Sequence, residues 1–157
     1  IVFVTKCRGD AAAVKEQIRR YNRTAEIVVC NHSPRVLKDV WSREEYPLSW
    51  LEGKTLCTLS GIASPKGFEN SLRHLGAKVV WCDRYADHHR YTQQEIIDFI
   101  NQAKAAGAEY IVTTEKDAVR IPKIDRCDVP LIYLRIQIDI LSGQENFDQC
   151  ISRICFL

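Results

Sequence analysis

The stretch Asp83-Arg84-Tyr85-Ala86-Asp87-His88-His89-Arg90-Tyr91 gathers two of the chain's four histidines with two aspartates, two arginines and two tyrosines. A histidine near an aspartate can hold that carboxylate in the right protonation state or relay a proton to it, which suits activation of a hydroxyl nucleophile. Arginines can grip phosphate oxygens bidentately. Asp87, His88 and His89 are therefore the candidate catalytic residues, and Arg84, Arg90 and Tyr91 the candidate substrate- or phosphate-binding residues of the same loop. Each histidine alone has a plain reading as a surface or core residue, but adjacent histidines flanked by Asp87 and Arg90 point to function.

Two further segments carry candidate phosphate-binding residues. Gly61-Ile62 precedes Ser64-Pro65, which reads as a tight turn or as a helix N-terminus whose unpaired N–H groups hold an anion. Thr114-Glu115-Lys116-Asp117 has the Thr-x-x-Asp spacing of a helix cap, and Lys116 and Glu115 gain nothing from capping. The chain contains neither G-x-x-x-x-G-K-[ST] nor G-x-G-x-x-G, so it cannot cradle a nucleoside triphosphate by either device.

Strands and helices must position these groups, and they alternate. Ile1–Thr5 reads as a strand ending in the turn Lys6-Cys7-Arg8-Gly9-Asp10. From Asp10 as N-cap, Ala11–Tyr21 reads as a helix with Ala13, Ile18 and Tyr21 inward and Lys15, Arg19, Arg20 and Arg23 outward. Ala25–Cys30 is the next strand, closed by Asn31-His32-Ser33-Pro34, and residues 35–53 form an irregular connector with room for a short strand and a candidate domain boundary.

Lys54–Ser60, Lys78–Cys82 and Tyr110–Thr113 read as strands. Between them lie a helix started by Ser64-Pro65 with Phe68, Leu72 and Leu75 on one face, and a helix started by the capping box Thr92–Glu95 and ending at Gly107. A short helix follows Thr114. Val129–Ile140 is a long apolar run whose second part alternates with period two, so one face should be buried; a last helix spans Glu145–Phe156 with Phe147, Ile151 and Ile154 on one side.

The order predicts an α/β fold with a mostly parallel sheet and flanking helices, whose ligand crevice lies outside the carboxyl ends of the strands. Those ends are Thr5-Lys6, Asn31-His32, Ser60-Gly61-Ile62, Asp83–Tyr91 and Thr113–Asp117, which hold most of the chemically capable residues.

At 157 residues and 46% hydrophobic content the chain has the makings of a globular core, and a net charge of +2 supplies no basic field to suggest nucleic acid. No apolar run approaches the roughly 20 residues of a membrane-spanning helix. Seven cysteines without a C-x-x-C pair fit buried thiols in a reducing compartment better than disulfides or zinc, so no metal site is expected among these residues. The chain has no methionine and opens on a strand already under way, from which we expect a fragment of a longer enzyme.

The residues together resemble a known family. Gly61-Ile62-x-x-Pro65-x-x-Phe68, Leu72, Gly76-Ala77, Asp87-His88-His89-x-Tyr91-Thr92, Thr113-Thr114-Glu115-Lys116-Asp117-Ala118-Val119-Arg120 and Pro130-Leu131 are similar to the C-terminal half of the tetraacyldisaccharide 4′-kinases, the lipid A 4′-kinases of Gram-negative bacteria. The resemblance implies a P-loop-kinase-like, Rossmann-like enzyme of two α/β domains. Such an enzyme transfers the γ-phosphoryl group of ATP, with Mg²⁺, to the 4′-hydroxyl of a tetraacyldisaccharide 1-phosphate at the cytoplasmic face of the inner membrane.

It further implies that an N-terminal domain carries the Walker A loop, a catalytic aspartate and a membrane-associating segment. Residues 1–35 would be the tail of that nucleotide-binding domain and residues 36–157 a second domain with a returning strand and final helix. The second domain would bring His88 or His89 to the cleft to partner the aspartate; the implied partners are the lipid substrate, the N-terminal domain and a membrane surface, and ATP and Mg²⁺ would be held mainly by the N-terminal part. Two other readings stay open: a metal-dependent phosphoesterase of the DHH type using Asp87 and His88, and a non-catalytic binding domain.

Overall fold

Short β-branched runs alternating with capped amphipathic stretches give, in the computed structural model of the chain, seven strands and five α-helices over residues 1–7, 10–42, 44–125 and 128–155. In chain order they are β1 (Val2–Val4), α1 (Ala12–Tyr21), β2 (Ile27–Asp39), β3 (Glu45–Tyr46), a 3₁₀ turn (Leu48–Leu51), β4 (Thr55–Ser60), α2 (Pro65–His74), β5 (Lys78–Arg84), α3 (Gln93–Ala105), β6 (Tyr110–Thr114), α4 (Glu115–Ala118), β7 (Leu131–Ser142) and α5 (Gln144–Cys155). Arg8, Gly9, Cys127 and Phe156, which entered the sequence reading, lie outside the described residues.

The chain divides into two units, Pro34–Ile136 and Ile1–Ser33 with Gln137–Leu157, and β2 and β7 each pass through both. In the larger unit the strand order is β2-β7-β6-β4-β5. β4 pairs in parallel with both β5 and β6, and β6 with β7; β3 is antiparallel to the end of β2.

Both faces of the inner strands β4 and β6 are covered, which is why they read as continuous apolar runs, whereas the edge strand β5 leaves Val80 and Trp81 about half exposed. Cys57, Leu59, Ile111 and Leu131 point to one face and pack with Ile96, Phe99, Ile100 and Ala103 of α3. Leu56, Val112, Ile132 and Leu134 point to the other and pack with Leu37, Leu51 and Leu72 of α2. The α/β class with a mostly parallel sheet and flanking helices is thereby borne out.

In the smaller unit β1 pairs in parallel with the start of β2, from Val2↔Ile27 to Val4↔Val29. Ala11 and Ile18 pack on Ile27 and Val29, Phe3 meets the edge of Phe147 at 6.0 Å, and Arg153 binds Glu26 at 2.8 Å. Gly143 has φ +87°, and a Cβ there would sit 2.5 Å from the Ile27 carbonyl oxygen, so only glycine closes the turn into α5.

Four expectations are corrected. β2 does not stop at Cys30 but runs to Asp39, so Asn31-His32 is mid-strand rather than a strand end. Pro34 lies between the β2 residues paired with β1 and those paired with β3, so neither of those two pairings uses its missing N–H. The α1 stripe is not the predicted one: Tyr21 is 95% exposed, Ala13 is exposed and only Ile18 of the three packs inward. Asp10 accepts from the Ala12 N–H at 2.8 Å, one position before the N-cap Ala11. Along the alternating part of β7, Ile136 and Ile138 are 42% and 59% exposed. Period two puts them on one face, but burying that face needs a covering layer that the described residues do not supply.

Candidate functional site

Because β4, β5 and β6 run parallel, the segments leaving their carboxyl ends lie side by side on one edge of the larger unit. They carry Gly61, the 85–91 loop and the 114–120 turn. Backbone bonds stitch the first two together: Tyr85 N–H donates to Ser60 O at 2.8 Å and His88 N–H to Gly61 O at 3.1 Å, while His89 N–H closes a turn on Ala86 O at 3.1 Å. His88 takes φ 65°, a left-handed conformation that costs a non-glycine residue about 1 kcal/mol or more. The tether to Gly61 offsets that cost.

Gly61 is where the loops meet. A Cβ built on it would lie 3.0 Å from Tyr91 Oη, 3.1 Å from Ala86 O and 3.3 Å from Asp117 Oδ1. The Tyr91 hydroxyl is raised well above the usual tyrosine range, first by burial and then by the Asp117 carboxylate, so it stays protonated as a donor. Asp117 is fully buried; its Oδ2 accepts from Thr114 Oγ1 at 2.6 Å, and its own N–H donates to that hydroxyl at 3.2 Å. The Thr-x-x-Asp cap is thus real, and it also aims the second carboxylate oxygen at the Gly61 cradle.

Arg120, one turn after Asp117, places Nη1 3.8 Å from Asp117 Oδ1 and donates from Nη2 to His88 Nδ1 at 2.9 Å. His88 is otherwise open, with its side chain 74% exposed and Nε2 3.8 Å from Asp87 Oδ2. His89 is the opposite case. Its ring stacks on Tyr85 at 4.5 Å, meets the edge of Tyr91 at 5.0 Å, and donates from Nε2 to Glu95 Oε1 at 3.1 Å. Glu95 is the capping-box acid: its Oε2 accepts from the Thr92 N–H and hydroxyl, and these bonds, the N–H first, hold it below the usual carboxylate range. One carboxylate therefore starts α3 and immobilises His89.

The other sequence candidates fall into two groups. Arg84 is bound to the buried Glu69, its Nε and Nη2 donating at 2.7 and 2.8 Å, with 44% of its side chain still exposed. Tyr91 and Asp117 are buried. Burial also pushes Asp83 up. Glu115 sits 3.6 Å from Arg135, Ile62 is half-buried, and Arg90 and Lys116 are exposed. Among the described residues no three His, Cys, Asp or Glu side chains are grouped to hold a metal ion.

Sequence reasoning missed three participants. The second task of Glu95 and the part played by Arg120 had a local trace, the spacings Thr92-x-x-Glu95 and Asp117-x-x-Arg120. Glu69 had none, since its partner Arg84 is 15 residues away on another element.

A family model described as tetraacyldisaccharide-1-P 4'-kinase, LpxK, matches residues 1–155. A tetraacyldisaccharide 4'-kinase of Anaeromyxobacter sp. (strain K) is 42% identical over 124 residues, covering 77% of this chain and 33% of the relative. One from Syntrophus aciditrophicus (strain SB) is 32% identical over 143 residues, covering 91% of this chain and 36% of the relative. The chain thus spans about a third of the length of these curated relatives. Among solved structures, "apo" form LpxK from Aquifex aeolicus in complex with ATP matches with a TM-score of 0.53 at 16% identity, over 97% of this chain and 51% of that one. At that identity the likeness speaks for the fold alone.

Proposed function

The chain belongs to the tetraacyldisaccharide-1-P 4'-kinase family, and from that premise we propose that it is part of an enzyme phosphorylating the 4′-hydroxyl of a tetraacyldisaccharide 1-phosphate with ATP. In this proposal residues 1–35 are the tail of the nucleotide-binding domain and residues 36–157 the second domain, rejoining the first through β7 and α5. The enzyme works at the cytoplasmic face of a Gram-negative inner membrane; no helix among the described residues is long and apolar enough to cross a membrane.

Phosphoryl transfer is mostly positioning and charge neutralisation. The residues described here do not fit Mg²⁺ or the ATP phosphates by themselves, since no metal-holding group is present among them and the chain has no phosphate-cradling glycine loop. Those groups are assigned to other parts of the protein.

The observation that carries the proposal for this chain is the contrast between the two histidines. His89 is locked into the start of α3, while His88 is exposed and held out from the loop. His88 is therefore assigned to assist a carboxylate that takes the proton of the substrate hydroxyl. Arg90 and Lys116, both exposed, are assigned to the lipid phosphate or transferring phosphoryl oxygens. Gly61, Ile62, Tyr91, Thr114 and Asp117 shape the loops, and Arg84 is left to Glu69. The Asp-His-His triplet is shared with DHH phosphoesterases, but the family match removes that reading's support.

The test uses the protein as encoded and follows transfer from γ-labelled ATP to the disaccharide lipid. We expect His88→Ala to lower kcat by about a hundredfold and His89→Ala to act mainly by lowering the melting temperature. No ATP-dependent transfer by the unaltered protein would overturn the kinase proposal; full turnover by His88→Ala would remove His88 alone.

A further inference from the structure

We infer that Arg120 is a positioning residue that holds His88 in the tautomer with its proton on Nε2. The reason is the donor inventory. A guanidinium has five N–H donors and no acceptor, so the 2.9 Å contact from Arg120 Nη2 to His88 Nδ1 forms only when Nδ1 presents its lone pair. In the neutral ring the proton then sits on Nε2, the nitrogen 3.8 Å from Asp87 Oδ2. Arg120 on the Nδ1 side selects the tautomer, and Asp87, at 3.8 Å from Nε2, lies beyond hydrogen-bond distance and leaves that N–H free.

Arg120 can do this because it is itself fixed. Its backbone N–H donates to Asp117 O at 2.8 Å, its Nη1 lies 3.8 Å from the buried Asp117 Oδ1, and its side chain is only 24% exposed. Asp117 in turn is bound to Thr114 at the end of β6. His88 enters the contact from the other side, with its main chain tied to Gly61 O. The imidazole is thus gripped at the backbone and at Nδ1, with Nε2–H as its free donor.

An imidazole held this way gives a hydrogen bond through Nε2 and does not take a proton there. Its task is to orient and stabilise an anionic partner, a carboxylate or a phosphoryl oxygen, rather than to serve as the base. This use of the N–H rests on the kinase proposal; the tautomer does not.

The experiment labels histidine with ¹⁵N in the protein as encoded and reads the ring nitrogens of His88 by long-range ¹H–¹⁵N correlation, at a pH where the ring is neutral. We expect a protonated Nε2 and a bare Nδ1 in the unaltered protein. In Arg120→Met the Nδ1 and Nε2 shifts should move toward the mixture of an unconstrained histidine, with partial return in Arg120→Lys. In parallel, Arg120→Met should lower kcat by about tenfold or more with the KM for ATP little changed, and that loss should largely vanish in a His88→Ala background. A protonated Nδ1, or His88 shifts unmoved by Arg120→Met, would overturn the inference whatever the activity. Rate losses that simply multiply would overturn it too, since they would mean that Arg120 acts without His88. Full activity of His88→Ala alongside the expected shifts would instead sink the catalytic use of His88 and leave the tautomer standing.

Discussion

At the scale of single residues the site depends on a missing side chain. Tyr91 Oη, Ala86 O and Asp117 Oδ1 all crowd the space a Cβ of Gly61 would fill. Tyr91 cannot retreat, because it is buried and wedged edge-on against Tyr85 at 5.2 Å and His89 at 5.0 Å. Gly61→Ala should therefore push the 85–91 loop outward, loosen the His88 N–H bond to Gly61 O and cost about 1–3 kcal/mol. Gly67 in α2 is the control: a Cβ there meets only the Ser64 hydroxyl at 3.2 Å, the far end of a small side chain. Gly67→Ala should be neutral or gain up to about 1 kcal/mol of helix propensity. Melting temperatures of the two variants read this directly, and an alanine at 61 as benign as one at 67 would refute the crowding argument. The Asp-His-His triplet was readable as a candidate site from residue types alone. The division of labour between its histidines was not, because it is set by Glu95 and Arg120, six and 32 residues away.

Elements were readable wherever their ends carry local chemistry. The Thr92–Glu95 capping box, Pro65 at the first turn of α2, and the left-handed Gly76 and Gly107 after α2 and α3 all stand where the sequence puts them. What holds one element to another was not readable, and Glu69 is the clearest case. This carboxylate on α2 is 2% exposed beneath Arg84 of β5, with Arg73 at 3.8 Å. The Arg84 hydrogen bonds, against the cost of burial, hold Glu69 below its usual range. A carboxyl whose folded-state value is lowered contributes stability above its unfolded value, about 4.3, and loses it as pH falls through the folded value. Arg84→Ala leaves a buried carboxylate poorly paired, whereas Glu69→Gln leaves Arg84 able to turn to water. Arg84→Ala should therefore lower the melting temperature more than Glu69→Gln at pH 7, and the gap should shrink below about pH 4 as the carboxylate protonates. A gap independent of pH would show that packing, not charge, joins α2 to β5.

For the molecule as a whole, burial is distributed unevenly, and that decides where it opens first. Strands β4 and β6 are inner strands with both faces covered, and Leu56–Ser60 and Ile111–Thr113 are buried throughout. Helix α3 buries Ile96, Phe99, Ile100 and Ala103, but α1 and α5 bury no residue of their own. The sequence shows an apolar stripe in each of these three helices, because periodicity reports which face would be buried. Whether a layer lies against that face is a tertiary fact, and Tyr21 and Ile154, at 95% and 67% exposure, lie outside any such layer in the described chain. Amides open with free energies that follow the apolar contacts each segment must give up. Hydrogen exchange on the 157-residue chain should accordingly find β4 and β6 slowest, α3 intermediate, and α1 and α5 fastest among the three helices, with protection separated by orders of magnitude. The prediction is specific to burial, since α1 and α5, with 10 and 12 residues, are close in length to α3 with 13. Protection of α1 or α5 equal to that of β4 would mean that their exposed faces are covered in solution, and the ranking by burial would have to be abandoned.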